Sequence, residues 1–146
     1  MLRVSKLTDY ATVVMATLAA AAGEVLSAQV LAERARLEVP TVSKLLKQLA
    51  QAGRVLSTRG IDGGYRLARA AERISVADIV AAIEGPIGMT ECSAHAGACG
   101  HEPHCGVRVN WQRINRAIST ALENVTLAEM LRPAPKRAPI PLRVSL

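Results

Sequence analysis

Tyr10, Val13, Val14, Thr17, Leu18 and Ala21 fall three and four residues apart, the spacing of a helix with one buried face. This first helix is expected from Thr8 to Ala22, with Thr8 as N-cap and Gly23 as stop. A shorter second helix runs from its cap Ser27 to Ala35 and buries Val30 and Leu31. After a turn over Arg36–Val39, Pro40 suits the first position of a third helix. There Val42, Leu45, Leu46 and Leu49 form an apolar stripe. Thr41, Lys44, Gln48 and Gln51 face the other way, with Ser43 and Lys47 on the flank, and the helix stops at Gly53.

The period then changes. Arg54–Arg59 reads as a strand, Gly60-Ile61-Asp62-Gly63-Gly64 as a tight turn, and Tyr65–Ala68 as the returning strand. Ser75 caps a fourth helix with Val76, Ile79, Val80 and Ile83 inward, stopped at Gly85-Pro86. Residues 86–106 show no period. From Val107 onward, Val107, Trp111, Ile114, Ile118, Ala121 and Val125 alternate four- and three-residue steps, an a/d seam. The simplest partner for such a helix is its twin. Packing back on its own domain is the alternative, because the seam spans fewer than three heptads. Thr126 caps a last turn to Leu131, and four of the seven prolines mark a disordered basic tail beyond it.

The predicted fold is therefore mainly α with a small β-hairpin wing. A winged helix-turn-helix DNA-binding domain is expected over residues 1–85 and a cysteine loop over 86–106. A long C-terminal dimerisation helix with a short terminal helix follows over 107–131, then the tail over 132–146. Two helices joined by a turn are equally compatible with an ordinary solvated amphipathic pair. The hairpin directly after them shifts the balance. Lys44 and Lys47 on the third helix, and Arg59 and Arg66 on the hairpin, are placed to meet a phosphate backbone or a narrow minor groove.

Charge fits that expectation. The net charge is +6, but residues 1–75 carry eleven Lys/Arg against six Asp/Glu, whereas residues 76–106 carry four acids and no Lys or Arg. The basic first half points to double-stranded DNA. No Phe, one Trp and two Tyr argue against single-strand binding by base stacking. Arg3 and Lys6 ahead of the apolar run Tyr10–Ala22 have the layout of a signal peptide. Asp9, the two threonines Thr12 and Thr17 and the helical spacing oppose it, so a cytoplasmic protein with no membrane partner is expected.

The three cysteines, Cys92, Cys99 and Cys105, all lie in the loop, with His95, His101 and His104 among them. A clustered, odd set argues against a secreted disulfide scaffold. A segment this poor in apolar residues needs an external group to order it, and a metal centre is the candidate. Three thiols and a histidine also suit zinc, although Cys-x6-Cys-x5-Cys lacks the short knuckle of structural zinc sites. No nucleophile–base set, phosphate loop or ferredoxin spacing is present, so neither an enzyme nor a small-molecule substrate is expected.

Leu7-Thr8-Asp9-Tyr10-Ala11, Val39-Pro40-Thr41-Val42-Ser43-Lys44-Leu45-Leu46 and Arg59-Gly60-Ile61-Asp62-Gly63-Gly64-Tyr65-Arg66-Leu67 closely resemble the winged-helix iron–sulfur transcription regulators that include IscR and NsrR. Within that group the chain is most similar to the regulators of SUF-type cluster-assembly operons. The resemblance covers residues 1–131. It implies a homodimeric regulator, a repressor, on a palindromic operator, with an iron–sulfur cluster on Cys92, Cys99 and Cys105, [2Fe–2S] ahead of [4Fe–4S]. It also implies that Thr41, Ser43 and Lys44 face bases or phosphates and that Arg59 enters the minor groove. Nitric-oxide, redox or zinc/thiol sensing on the same fold is the alternative.

The chain departs from the IscR pattern at Arg108, where that pattern has a histidine completing the cluster site; a guanidinium cannot ligate. The fourth donor is therefore open. Asp9, reaching a partner subunit's loop, is ranked first; the resemblance implies this too, since some members use an acid at this position. His101 is ranked second, and a plain helix-terminus role for Asp9 is the bland alternative.

Overall fold

Ser5, not Thr8, starts the first helix in the computed structural model, which describes residues 3–133. Helix α1 (Lys6–Ala20) opens with the Ser5 hydroxyl accepting the Thr8 N–H at 3.2 Å. Thr8 sits inside the first turn and is buried, its hydroxyl donating to Glu84 instead. Both residues are good caps by type, and the tertiary contact decides between them. The next two helices lie close to their expected bounds. Helix α2 (Ala28–Ala35) is capped by Ser27 and closed by Arg36 in the left-handed region. Helix α3 (Val39–Gln51) follows, with Pro40 one position further inside than expected.

Strands β1 (Val55–Thr58) and β2 (Gly64–Leu67) pair antiparallel, Val55 opposite Leu67 and Thr58 opposite Gly64. The first is shorter at both ends than the sequence suggested, and the second starts and ends one residue earlier. Tyr65 exchanges both backbone hydrogen bonds with Leu26, at 2.9 and 2.7 Å, which fixes the wing to the segment before α2. Glycine is required at this contact: a Cβ on Gly64 would stand 2.5 Å from the Leu26 carbonyl oxygen.

Helix α4 (Val76–Glu84) begins with a reciprocal capping box between Ser75 and Asp78. Its inward residues are Ala77 and Ile79, whereas Val76 and Val80 are only half-buried and border a groove. Two short helical turns, α5 (Glu91–Ala94) and a 3-10 turn over Glu102–His104, break up the cysteine segment. Helix α6 (Arg108–Glu123) has no buried residue. Val125, expected in its seam, lies beyond its end. Its carbonyl accepts the Val76 N–H at 2.9 Å, because the chain there pairs back on Ser75. Helix α7 (Leu127–Met130), capped by Thr126, then returns Leu127 to the core.

That core is one cluster. Val14, Met15 and Leu18 of α1 meet Leu31, the four apolar residues of α3, and Val55, Ile74, Ile79 and Leu127. Truncating one such leucine to alanine typically costs about 2–5 kcal/mol. The outer face of α3 and the wing are thus held on a rigid base. Residues 134–146, nearly all of the expected tail, lie outside the described residues.

Candidate functional site

The stripe that buries Val42, Leu45, Leu46 and Leu49 turns Ser43, Lys44 and Lys47 to solvent, all three exposed, with Thr41 half-buried beside them. Helix α3 packs against β1, so the wing continues from the same body. Arg59 and Arg66 are exposed. None of Lys44, Lys47, Arg59 or Arg66 is in an ion pair among the described residues, whereas Arg54 and Arg69 are both held by Asp78, at 2.9 and 3.6 Å. The basic residues therefore divide in two. Those at the foot of the wing brace it on α4, and those on α3 and the hairpin keep their charge available for an anion.

The turn of the hairpin is tightly specified. The Gly60 carbonyl accepts the Gly63 N–H at 3.0 Å, and a Cβ on Gly63 would meet the Thr58 carbonyl oxygen at 2.3 Å. Arg59 and Ile61 flank Gly60, whose φ is +111°.

The second set of candidate residues is the cysteine segment. Cys92 lies on α5 with its sulfur 3.3 Å from the Thr90 hydroxyl oxygen, and Cys105 closes the 3-10 turn. All three thiols are free and half-buried. His95, His101 and His104 are exposed. Among the described residues, no three His, Cys, Asp or Glu side chains come together in a metal-holding arrangement. Asp9 is also exposed. It borders a groove of about 670 Å³ with Lys6, Thr12, Val76, Val80 and Leu122.

The donor chemistry nonetheless suits a thiophilic centre. Three free thiols, with no disulfide among them, lie in a stretch that lacks Lys and Arg. Arg108, the departure noted in the sequence, has a partner of its own: it forms an ion pair with Glu102. The second carboxylate oxygen of Glu102 accepts the Gly97 N–H at 2.7 Å. The pair folds residues 97–108 into one unit.

Two further residues anchor the segment, and neither was singled out from sequence. Glu84, the last residue of α4, accepts the Ser5 N–H at 3.1 Å and the Thr8 hydroxyl, tying the start of the loop to the start of α1. Those hydrogen bonds, Thr8's first, hold the Glu84 carboxyl below its ordinary 4.5. Asn115 of α6 accepts the Met89 N–H at 3.0 Å and donates to the Ile87 carbonyl at 3.1 Å. A lone half-buried asparagine carries no periodic signal, which is why the pattern of hydrophobics missed it.

A helix-turn-helix with an anchored wing and a basic outer face defines a winged-helix DNA-binding regulator. The family model described as Rrf2, iron-dependent transcriptional regulator, matches residues 4–133. The chain belongs to that family. It is 36% identical over 111 residues to the protein rrf2 of Nitratidesulfovibrio vulgaris, covering 74% of each chain. It is 34% identical over 101 residues to the HTH-type transcriptional regulator IscR of Erwinia tasmaniensis, covering 69% of this chain but 61% of that one, less than two thirds of its length. Among solved structures, CymR, the global cysteine regulator of B. subtilis, superposes with a TM-score of 0.69 at 29% identity, over 90% of this chain and 97% of that one. No helix among the described residues is long and apolar enough to cross a membrane.

Proposed function

We propose that this regulator is a homodimeric, cytoplasmic repressor whose operator binding depends on an iron–sulfur cluster, and that it controls cluster-assembly genes. The observation that carries the reading is the cysteine segment. Three free thiols stand on a stretch whose start is tied to α1 through Glu84 and to α6 through Asn115. Any group that draws the thiols together acts on both helices. Cys92, Cys99 and Cys105 would hold the cluster, [2Fe–2S] ahead of [4Fe–4S]. The fourth donor would be Asp9 of a second copy, or else His101. When bound, the cluster supplies a redox-labile cross-link to the segment. The chain's own residues do the rest: α6 fixes the spacing of two recognition helices, and α3 and the wing meet DNA.

The dimer rests on α6. None of its residues is buried in the protomer, and Val107, Val109, Trp111 and Ile114 are exposed along it. On the DNA side, Thr41, Ser43, Lys44 and Lys47 would contact bases and phosphates of one half of a palindromic operator. Arg59 and Arg66 would reach the adjoining backbone or minor groove.

A second reading has its own support. The structural likeness to a cysteine regulator favours thiol chemistry without iron on the same three residues. Anaerobic purification separates the two: visible absorbance with stoichiometric iron and sulfide is expected, and a colourless protein would rule the cluster out. Asp9→Ala should alter that spectrum and hasten cluster loss. If His101→Ala does so while Asp9→Ala does not, Asp9 only stabilises the start of α1.

A further inference from the structure

Ile61 is 105% exposed, the highest value among the large apolar side chains of the described residues; Val109 follows at 76%. It occupies the second position of the Gly60–Gly63 turn, at the apex of the wing. Polar residues or proline are the usual occupants there, and a β-branched aliphatic side chain gains nothing from the turn itself. Fully exposed, it packs against nothing among the described residues. A lone exposed aliphatic is ordinary on a protein surface. This one is set apart by its mounting. The turn is locked by the Gly63 close approach, the hairpin is pinned to Leu26, and Arg59 stands two residues before it.

The charges at the apex decide what the tip can offer DNA. Attraction to phosphate comes from Arg59 and Arg66, whereas the tip itself carries Asp62, which repels the backbone. Ile61 therefore brings apolar area to a place the arginines deliver. Its stiff χ1 means little side-chain freedom is lost on docking.

We propose that Ile61 is the apolar contact of the wing with double-stranded DNA, seated in the minor groove against the deoxyribose walls at a deformable base step. The assignment rests on the DNA-facing role given above to α3 and the wing. It makes Ile61 a determinant of which flanking step the protein prefers.

The test uses full-length protein and a duplex recovered by the wild type from a random-sequence pool, with affinity measured across a salt series. Ile61→Ser should bind about tenfold more weakly at every salt concentration, as loss of aliphatic burial predicts, with the salt slope unchanged. Ile61→Val should bind as wild type does. Arg59→Ala should weaken binding and flatten the slope by about one unit. Thermal unfolding of Ile61→Ser should match wild type, because the side chain is fully exposed among the described residues. Wild-type affinity in Ile61→Ser alongside weakened Arg59→Ala overturns the assignment while leaving the interface intact. A flattened slope in Ile61→Ser overturns it too, since that signals a phosphate contact. If Lys44→Ala and Arg59→Ala also bind normally, the DNA face itself is misassigned and Ile61 falls with it.

Discussion

Lys44 and Arg54 show how residues of one charge take different work. Lys44 is exposed and outside the ion pairs, so its positive charge is available to phosphate or guanine. Arg54 has a quarter-exposed side chain bonded to Asp78 at 2.9 Å. Lys44→Ala should weaken DNA binding by roughly 1–3 kcal/mol if it touches a base, or reduce the salt slope by about one if it touches phosphate. Arg54→Ala should instead lower the unfolding free energy by about 1 kcal/mol and leave the slope unchanged. Titration calorimetry and chemical denaturation on both variants check the division. Glu84 adds a pH signature. Its carboxyl is held below 4.5 in the folded state, so its contribution is present above that value and is lost as the pH falls through the folded pKa. Glu84→Gln should therefore lower stability slightly near neutrality, by less than about 1 kcal/mol because the group is exposed, and match wild type in strong acid. A constant deficit at all pH values would mean that shape matters there and charge does not.

At the scale of elements, the apolar stripe of α3 and the glycine-rich turn were legible from sequence, because period and turn chemistry are local properties. On α1 the expected face was displaced, Val13 being exposed while Ala11 and Met15 are buried, and on α4 Val76 and Val80 are only half-buried. The ends were less so. Ser5 and Thr8 are equally good caps by type, and only Glu84, 76 residues from Thr8, decides between them. The seam of α6 was legible as apolar spacing, yet Val125 leaves it to pair beside Ser75. The thiols and imidazoles of the cysteine segment were plain by type, whereas the links that position the segment are single long-range hydrogen bonds without a repeat. Asn115 is the sharpest case. Asn115→Ala removes two hydrogen bonds between α6 and residues 87–89, each worth about 1 kcal/mol. Hydrogen exchange should show the Met89 amide losing protection while the amides of α3 keep theirs. Unchanged protection at Met89 would mean that the segment is held by something other than Asn115.

For the whole molecule, the question is what the exposed flank of α6 meets. Ile114 is 42% exposed and Trp111 39%. Ile114→Asp should give a monomer by sedimentation, with poor DNA binding and a thermal midpoint set by the protomer's own core; a stable dimer would mean that α6 is not the interface. Leu127→Ala should act the other way, destabilising the protomer itself by about 2–5 kcal/mol. The position of Leu127 has a mechanical meaning as well. Helix α6 runs 16 residues, about 24 Å, and the chain directly after it is clamped into the core by the Ser75–Thr126 bridge and Leu127. A rod fastened at its far end cannot slide along its axis; it can only swing. A push of about 2 Å at the cysteine end would tilt it by roughly 5°, with the fulcrum sitting on the body that carries the recognition helix.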